Sequence, residues 1–244
     1  VPEDDEEVQH AALVDGEEAL IIVSSTALHI IFPYWESYGV WYELPDATVW
    51  QGRLMTNGMV LLRGGSSCFV EWWAFTEEAF VLEAPVPVPS EYCTPATTMS
   101  TDLTVRQVWL ANSSVLEVTP SGHDRLDTPG EIAVWDAATG AVYVAMRGGS
   151  TVTALEQGGD ERWVTVVPGG VVGIAPLGPS AAAVASVETD EDTDLFVQLN
   201  GRTGEISKEQ WVPVAAPLVV DVHARVLGAV LEDEVHFFDV VANN

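Results

Sequence analysis

A chain of 244 residues, 48% of them hydrophobic and nine of them tryptophan, collapses around a core, which excludes disorder of the whole chain. Eight arginines and one lysine (Lys208) oppose 37 carboxylates, for a formal net charge of −28; without clustered cations to release counterions, nucleic acid is not an expected partner, and an anionic lipid surface would repel the chain. Two readings of this acidity stand: negative charge that keeps an aromatic-rich surface soluble, or adaptation to high salt or to a protein partner with a cationic surface.

The chain opens Val1-Pro2-Glu3-Asp4-Asp5-Glu6-Glu7, with neither an initiating methionine nor a signal peptide. It reads as a processed start, so the protein is expected to be exported, periplasmic or extracellular, and associated with a membrane complex if an upstream anchor was lost. Residues 1–18 are set apart as an acidic N-terminal segment, with room for a short helix up to Leu13 because Asp and Glu suit a helix N-terminus. Residues 19–244 are expected to form one β domain. The first strand group, Ala19 to Leu44, contains the best apolar run, Ala19 to Phe32. At 14 residues, and with Ser24, Ser25, Thr26 and His29 inside it, that run is too short and too polar to span a bilayer, which takes about 20 apolar residues.

From Phe32 to Trp50 the chain is aromatic-rich, with Tyr34, Trp35, Tyr38, Trp41, Tyr42 and Trp50. Trp35, Tyr38 and Trp41, with Trp72 further on, are candidates for a patch that stacks on sugar rings or anchors a protein partner. The alternative is that these rings fill the core. Trp72 and Trp73 point to opposite faces if they lie on a strand, which makes one of them the better candidate for exposure.

The second group, Arg53 to Glu83, turns at Thr56-Asn57-Gly58, where Asn-Gly suits the positive φ angles of a tight hairpin. It contains Arg63-Gly64-Gly65-Ser66, which recurs 84 positions later as Arg147-Gly148-Gly149-Ser150. Each copy follows an apolar run, and 84 is twice 42, close to the period of a four-stranded blade. A turn or two of helix is also expected over Thr76 to Leu82. Cys68 and Cys93 can form one bridge closing a loop of about 25 residues, worth roughly 3 kcal/mol in an oxidising compartment, or can be two buried thiols. Ala84 to Thr104, with Pro85, Pro87, Pro89 and Pro95, reads as extended chain that either crosses between blades or divides two domains.

The third group runs from Val105 to Met146, the fourth from Thr151 to Ala175, the fifth from Ala181 to Val214 and the sixth from Leu218 to Val241. Ser180 to Val187 reads as a short helix or as a buried alanine-valine strand. Asn112-Ser113-Ser114 fits a glycosylation acceptor. In Trp135-Asp136-Ala137-Ala138-Thr139-Gly140, Asp136 can bond the backbone amides ahead of it and Gly140 can take a conformation other residues avoid. This segment resembles the turn of quinoprotein-type (PQQ-type) propeller repeats, and Asn200-Gly201-Arg202-Thr203-Gly204 is a looser copy. The resemblance implies propeller architecture and gives no warrant for quinone cofactor binding. The family's tryptophan four residues after the glycine, which docks on the next blade, is replaced by Val144 and Lys208.

Asp190, Asp192 and Asp194 alternate as the ligands of a calcium loop do. Leu195 and Gly201 stand where an EF-hand would have Gly and Glu, so the alternatives are a weak calcium site and a solvated hairpin tip. His10, His29, His123, His223 and His236 have no zinc-ligand spacing. Ser121-Gly122-His123-Asp124 holds the residue types of a catalytic triad without a nucleophile elbow.

The expected fold is therefore all-β, a propeller of about six short irregular blades, with two β-sandwich domains as the alternative. The expected function is a non-catalytic, exported protein-interaction module: an accessory or scaffold subunit binding a partner through a propeller face, with no cofactor. The alternative is a glycan-binding module or a propeller glycosidase, which would need two carboxylates about 5–9.5 Å apart beside exposed aromatics. A quinone-dependent oxidoreductase ranks third.

Overall fold

The computed structural model describes residues 8–14, 19–24, 27–31, 39–43, 48–55, 58–64, 67–75, 80–94, 96–102, 106–177, 182–189, 194–212, 218–221, 226–231 and 234–239. Six sheets follow one another along the chain. The first is β1 (Val8–Val14), β2 (Ala19–Ser24), β3 (Ala27–Ile31) and β4 (Gly39–Glu43). The second is β5 (Thr48–Met55), β6 (Gly58–Gly64), β7 (Cys68–Phe75) and β8 (Phe80–Val88). The third is β9 (Thr98–Asp102), β10 (Gln107–Asn112), β11 (Ser114–Thr119) and β12 (Gly122–Leu126). The fourth is β13 (Ile132–Asp136), β14 (Ala141–Ala145), β15 (Thr151–Glu156) and β16 (Glu161–Val166). The fifth is β17 (Gly170–Pro176), β18 (Ala182–Glu188), β19 (Asp194–Asn200) and β20 (Ile206–Val212), and the sixth, among the described residues, is β21 (Leu218–Asp221), β22 (Val226–Leu231) and β23 (Glu234–Asp239). Within each sheet, consecutive strands are neighbours, as short hairpin turns require. No described helix is long and apolar enough to cross a membrane.

Several sequence expectations are corrected here. Val8–Val14, set apart with the acidic segment and allowed as a helix, is a strand paired antiparallel with β2, from Val14 opposite Ala19 to Val8 opposite Ser24. Of the helix expected over Thr76 to Leu82, residues 80–82 belong to β8 and the rest lies outside the described residues. Ser180 to Val187 resolves to the strand reading, as β18. The group Val105 to Met146 is divided, because the passage between the third and fourth sheets runs through Thr128-Pro129-Gly130. Gly130 is required there: its N–H bonds Ser113 O at 3.2 Å, and a Cβ would overlap Val144 and press on Val115.

The proline-rich stretch also differs from a linker. Pro85 and Pro87 lie inside β8, opposite Glu71 and Phe69 of β7. β8 is the edge of its sheet, so nitrogens that cannot donate remove no ladder bond, and they block pairing with another chain. Beyond β8 a 3-10 turn, Ser90–Tyr92, leads to Cys93, which is bonded to Cys68 at the start of β7 (Cα–Cα 5.7 Å).

The chain packs as two compact units, Val1–Val108 with Val118–Asp124, and Trp109–Glu117 with Arg125–Asn244. In the first, every residue of β6 is buried, so Met59-Val60-Leu61-Leu62 reads as an unbroken apolar run instead of an alternating one. In the second, β14 is buried throughout for the same reason. One of its cores gathers Ile132, Tyr143, Val152, Trp163, Val171 and Val197; another holds Trp109, stacked on Trp135 with centroids 4.9 Å apart and planes 14° apart.

Of the two Arg-Gly-Gly-Ser copies, Arg63 and Gly64 end β6, with Gly65 and Ser66 outside the described residues, and Arg147 to Ser150 join β14 to β15. Their environments differ. Arg63 is buried, and its guanidinium donates to both Glu71 oxygens at 3.0 and 3.1 Å, while Trp73 Nε1 donates to Glu71 Oε2 at 3.0 Å. Arg147 is exposed in the turn, and its backbone N–H bonds Glu131 Oε2 at 3.1 Å. Removing one partner of a buried pair leaves an uncompensated charge, so Arg63→Ala is expected to cost about 3 kcal/mol or more. Arg147→Ala should fall within about 0.5 kcal/mol of the parent. Urea unfolding of both variants checks this, and equal losses would refute the distinction.

Candidate functional site

Of the residues singled out from sequence, several lie outside the described residues. Trp35 and Tyr38 lie outside the described residues. Trp41 is on β4, opposite His29 of β3. Trp72 is overturned as a surface residue: it is 2% exposed and Trp73 is 4% exposed, because β7 is an inner strand covered on both faces. Among the described side chains, the proposed sugar-stacking set therefore has no exposed member. Asp190 and Asp192 also lie outside the described residues. Asp194 is buried at the start of β19, where its Oδ1 accepts the Thr189 backbone N–H at 2.8 Å and ties the ends of that connection together. Among the described residues, no three His, Cys, Asp or Glu side chains form a group that could hold a metal.

The segment that resembled a propeller-repeat turn forms a polar network. Asp136, buried at the end of β13, accepts the Ala138 N–H on Oδ1 at 2.9 Å. Its Oδ2 accepts the Thr139 and Tyr143 hydroxyls, each at 2.8 Å. Thr139 Oγ1 lies 3.0 Å from the Tyr143 oxygen, which closes a triangle around one carboxylate. Gly140, at φ +65, donates its N–H to Asp136 O at 2.8 Å. Arg162 of β16 donates from Nη1 to Thr139 O at 2.9 Å and grips Glu156 with Nε and Nη2 at 2.5 and 2.7 Å. That bidentate contact lowers the Glu156 pKa and raises that of Arg162.

Trp163 of β16 donates its indole N–H to Gly201 O, in the turn after β19, at 3.0 Å. Two residues on, Thr165 donates to Gly204 O at 2.6 Å. Gly204 sits at φ +74, where a Cβ would strike Thr165 Oγ1 at 2.6 Å and the Trp163 ring at 2.7 Å. Asn200 Oδ1 holds the same turn by accepting the Arg202 and Thr203 N–H groups at 2.9 and 3.3 Å. The contact joins residues 38 positions apart, so no local motif announces it.

Two outer strands of this scaffold expose large apolar side chains. The outer strands β16 and β20 expose Val164 (46%), Val166 (71%), Ile206 and Trp211 (55%). Exposed Asp160 and Glu161 precede the valines, and exposed Glu205 and Glu209 lie beside and within β20. An apolar strip bordered by carboxylates has the composition of a surface that holds another protein. Sequence reasoning passed over these residues because valine and isoleucine in a strand read as core.

Burial pushes the Tyr143 phenol up beyond the usual tyrosine range; Asp136 adds to the rise and the Thr139 hydrogen bond opposes it. A raised folded pKa contributes stability that is fully present below the unfolded value, about 10, and is lost as pH rises through the folded value. Tyr143→Phe is expected to cost about 1.5 kcal/mol near neutrality and to flatten the decline in stability above about pH 10. Urea unfolding at about pH 8 and about pH 11 measures both effects. An unchanged slope in the variant would refute the assignment.

No described protein family matches the chain, and no curated protein matches it in sequence. Solved structures do match. A chain of a structure described as "Crystal Structure of Mitotic Checkpoint Complex" is similar at TM-score 0.70 and 8% identity, over 98% of this chain and 79% of that one. A second, "KlHsv2 with loop 6CD replaced by a Gly-Ser linker", is similar at TM-score 0.69 and 10% identity, over 96% and 78%. At such identities the likeness speaks to fold alone, and with six successive up-and-down sheets it gives this chain the β-propeller fold.

Proposed function

We propose that this protein is a non-catalytic interaction module, an accessory or scaffold subunit that holds another protein against the outer strands of its fourth and fifth sheets. The observation that carries the reading is the exposure of Val166 and Trp211, large apolar side chains left in water on strands whose inner neighbours are buried. The formal charge of −28 favours a partner with a cationic surface, since complementary charge steers encounter and selects against other acidic proteins. One of the similar folds was solved in a complex, which fits the same use of the fold. The turn at Asp136 remains similar to quinoprotein-type repeats as a structural device, its polar groups bonded to one another.

Export to an oxidising compartment, periplasmic or extracellular, is part of the proposal and is supported by the Cys68–Cys93 bond. Purified from its native source, the protein is expected to run in a complex at low ionic strength and alone at about 1 M salt, where exposed charges are screened beyond about 3 Å. Migration as a single chain at both salt concentrations would overturn the interaction reading. Under non-reducing unfolding conditions neither cysteine should react with a thiol reagent, and reduction should cost about 3 kcal/mol of stability. Two reactive thiols in native material would overturn the export reading alone.

A further inference from the structure

Four sheets have a fourth strand whose side chains are described, and three of those strands are guarded against pairing with another chain. β8 carries Pro85 and Pro87, β12 exposes His123, Asp124 and Arg125 in succession, and β20 carries Lys208 and Glu209 at its middle. β16 differs. After Arg162, whose guanidinium is engaged by Glu156 and Thr139, it continues Trp163-Val164-Thr165-Val166 without a charge or a proline. Val164 and Val166, two apart and so on one face, are both exposed.

The backbone of β16 is oriented to accept a neighbour. Its register with β15 places Val166 opposite Thr151, Thr165 opposite Val152 and Val164 opposite Thr153. Val167 donates its N–H to Ser150 O at 2.8 Å, towards β15. Because antiparallel pairing alternates, Thr165 also faces β15, and the N–H and C=O groups of Val164 and Val166 face the other way. Among the described residues, neither Val164 nor Val166 makes a backbone bond on that outward side.

From these observations we propose that β16 is a strand-addition site, where an extended apolar segment of a partner protein, bearing lysine or arginine, pairs with Val164 and Val166. Main-chain bonds supply the attachment and the two valines select apolar side chains at alternate positions. Charge identifies the occupant. Asp160 and Glu161 precede the exposed stretch, and Glu205 follows Gly204, whose carbonyl is bonded to Thr165. A second copy of this chain would bring another −28 against them, whereas a cationic segment is drawn in. This inference rests on the interaction reading and adds to it the edge and the chemistry of the partner.

The test uses the full chain and a synthetic peptide of about seven residues alternating valine with lysine or arginine, its counterpart with glutamate for the basic residues, and a version N-methylated at alternate amides. The basic peptide is expected to bind and to slow hydrogen exchange at the Val164 and Val166 amides by about tenfold or more. The glutamate and N-methylated peptides should do neither. Val166→Pro should abolish the effect, as should the double variant Val164→Glu with Val166→Glu if the proline disturbs folding. Binding without protection of the two amides would overturn strand addition, and so would protection that depends on protein concentration alone, which would mean self-pairing. If the native complex forms and survives the double variant, strand addition fails while the interaction reading stands. If no native complex forms, that reading fails first.

Discussion

The bond from the Trp163 indole to the Gly201 carbonyl anchors the fourth sheet to the turn of the fifth, and much of the surface chemistry depends on it. A buried indole N–H must find an acceptor or cost free energy, and a turn carbonyl is among the few acceptors that a strand ladder leaves available. With Trp163 held inward, the alternation of side chains along β16 turns Val164 outward, brings the Thr165 hydroxyl onto Gly204, and turns Val166 outward again. Gly204 completes the arrangement because no side chain would fit beside the Trp163 ring at that positive φ.

A second constraint is the burial of both faces of the inner strands. It explains the unbroken apolar runs of β6 and β14, and it explains why polar groups among them gather on one another, Arg63 with Glu71 and Trp73, Asp136 with Thr139 and Tyr143, while the Trp72 indole N–H is buried without a hydrogen-bond partner among the described residues. Such groups are expensive to bury singly and tolerable when mutually satisfied. The repeated Arg-Gly-Gly-Ser shows how far context decides. Its two copies fall at the end of the second strand of their sheets or just after it, yet one arginine, within β6, is buried against a carboxylate and the other, in the turn after β14, stands in solvent. The repeat encodes a place in the architecture and not a shared chemistry.

Edge protection links the fold to the proposed function. Prolines in β8 and charges in β12 and β20 make those edges poor templates for pairing, and the contrast with β16 is what makes β16 notable. The prolines were visible in the sequence but read as a linker. A proline run looks the same on a connection and on an outermost strand, and only the position of β8 at the sheet edge separates the two.

By itself the sequence determined what local chemistry can determine: an all-β chain, a period near 40 residues, the turn at Asp136 with its glycine, and the absence of cationic clusters. These follow from alternation, turn residues and charge, each contained within a few positions. Tertiary structure decided which strand lies outermost in each sheet, and therefore that Trp72 is buried while Val166 and Trp211 are exposed. It also decided that Trp163 of β16 reaches the Gly201 carbonyl in the turn after β19. Exposure of a strand residue depends on what packs over its sheet, and those neighbours come from distant parts of the chain, beyond the reach of a local pattern.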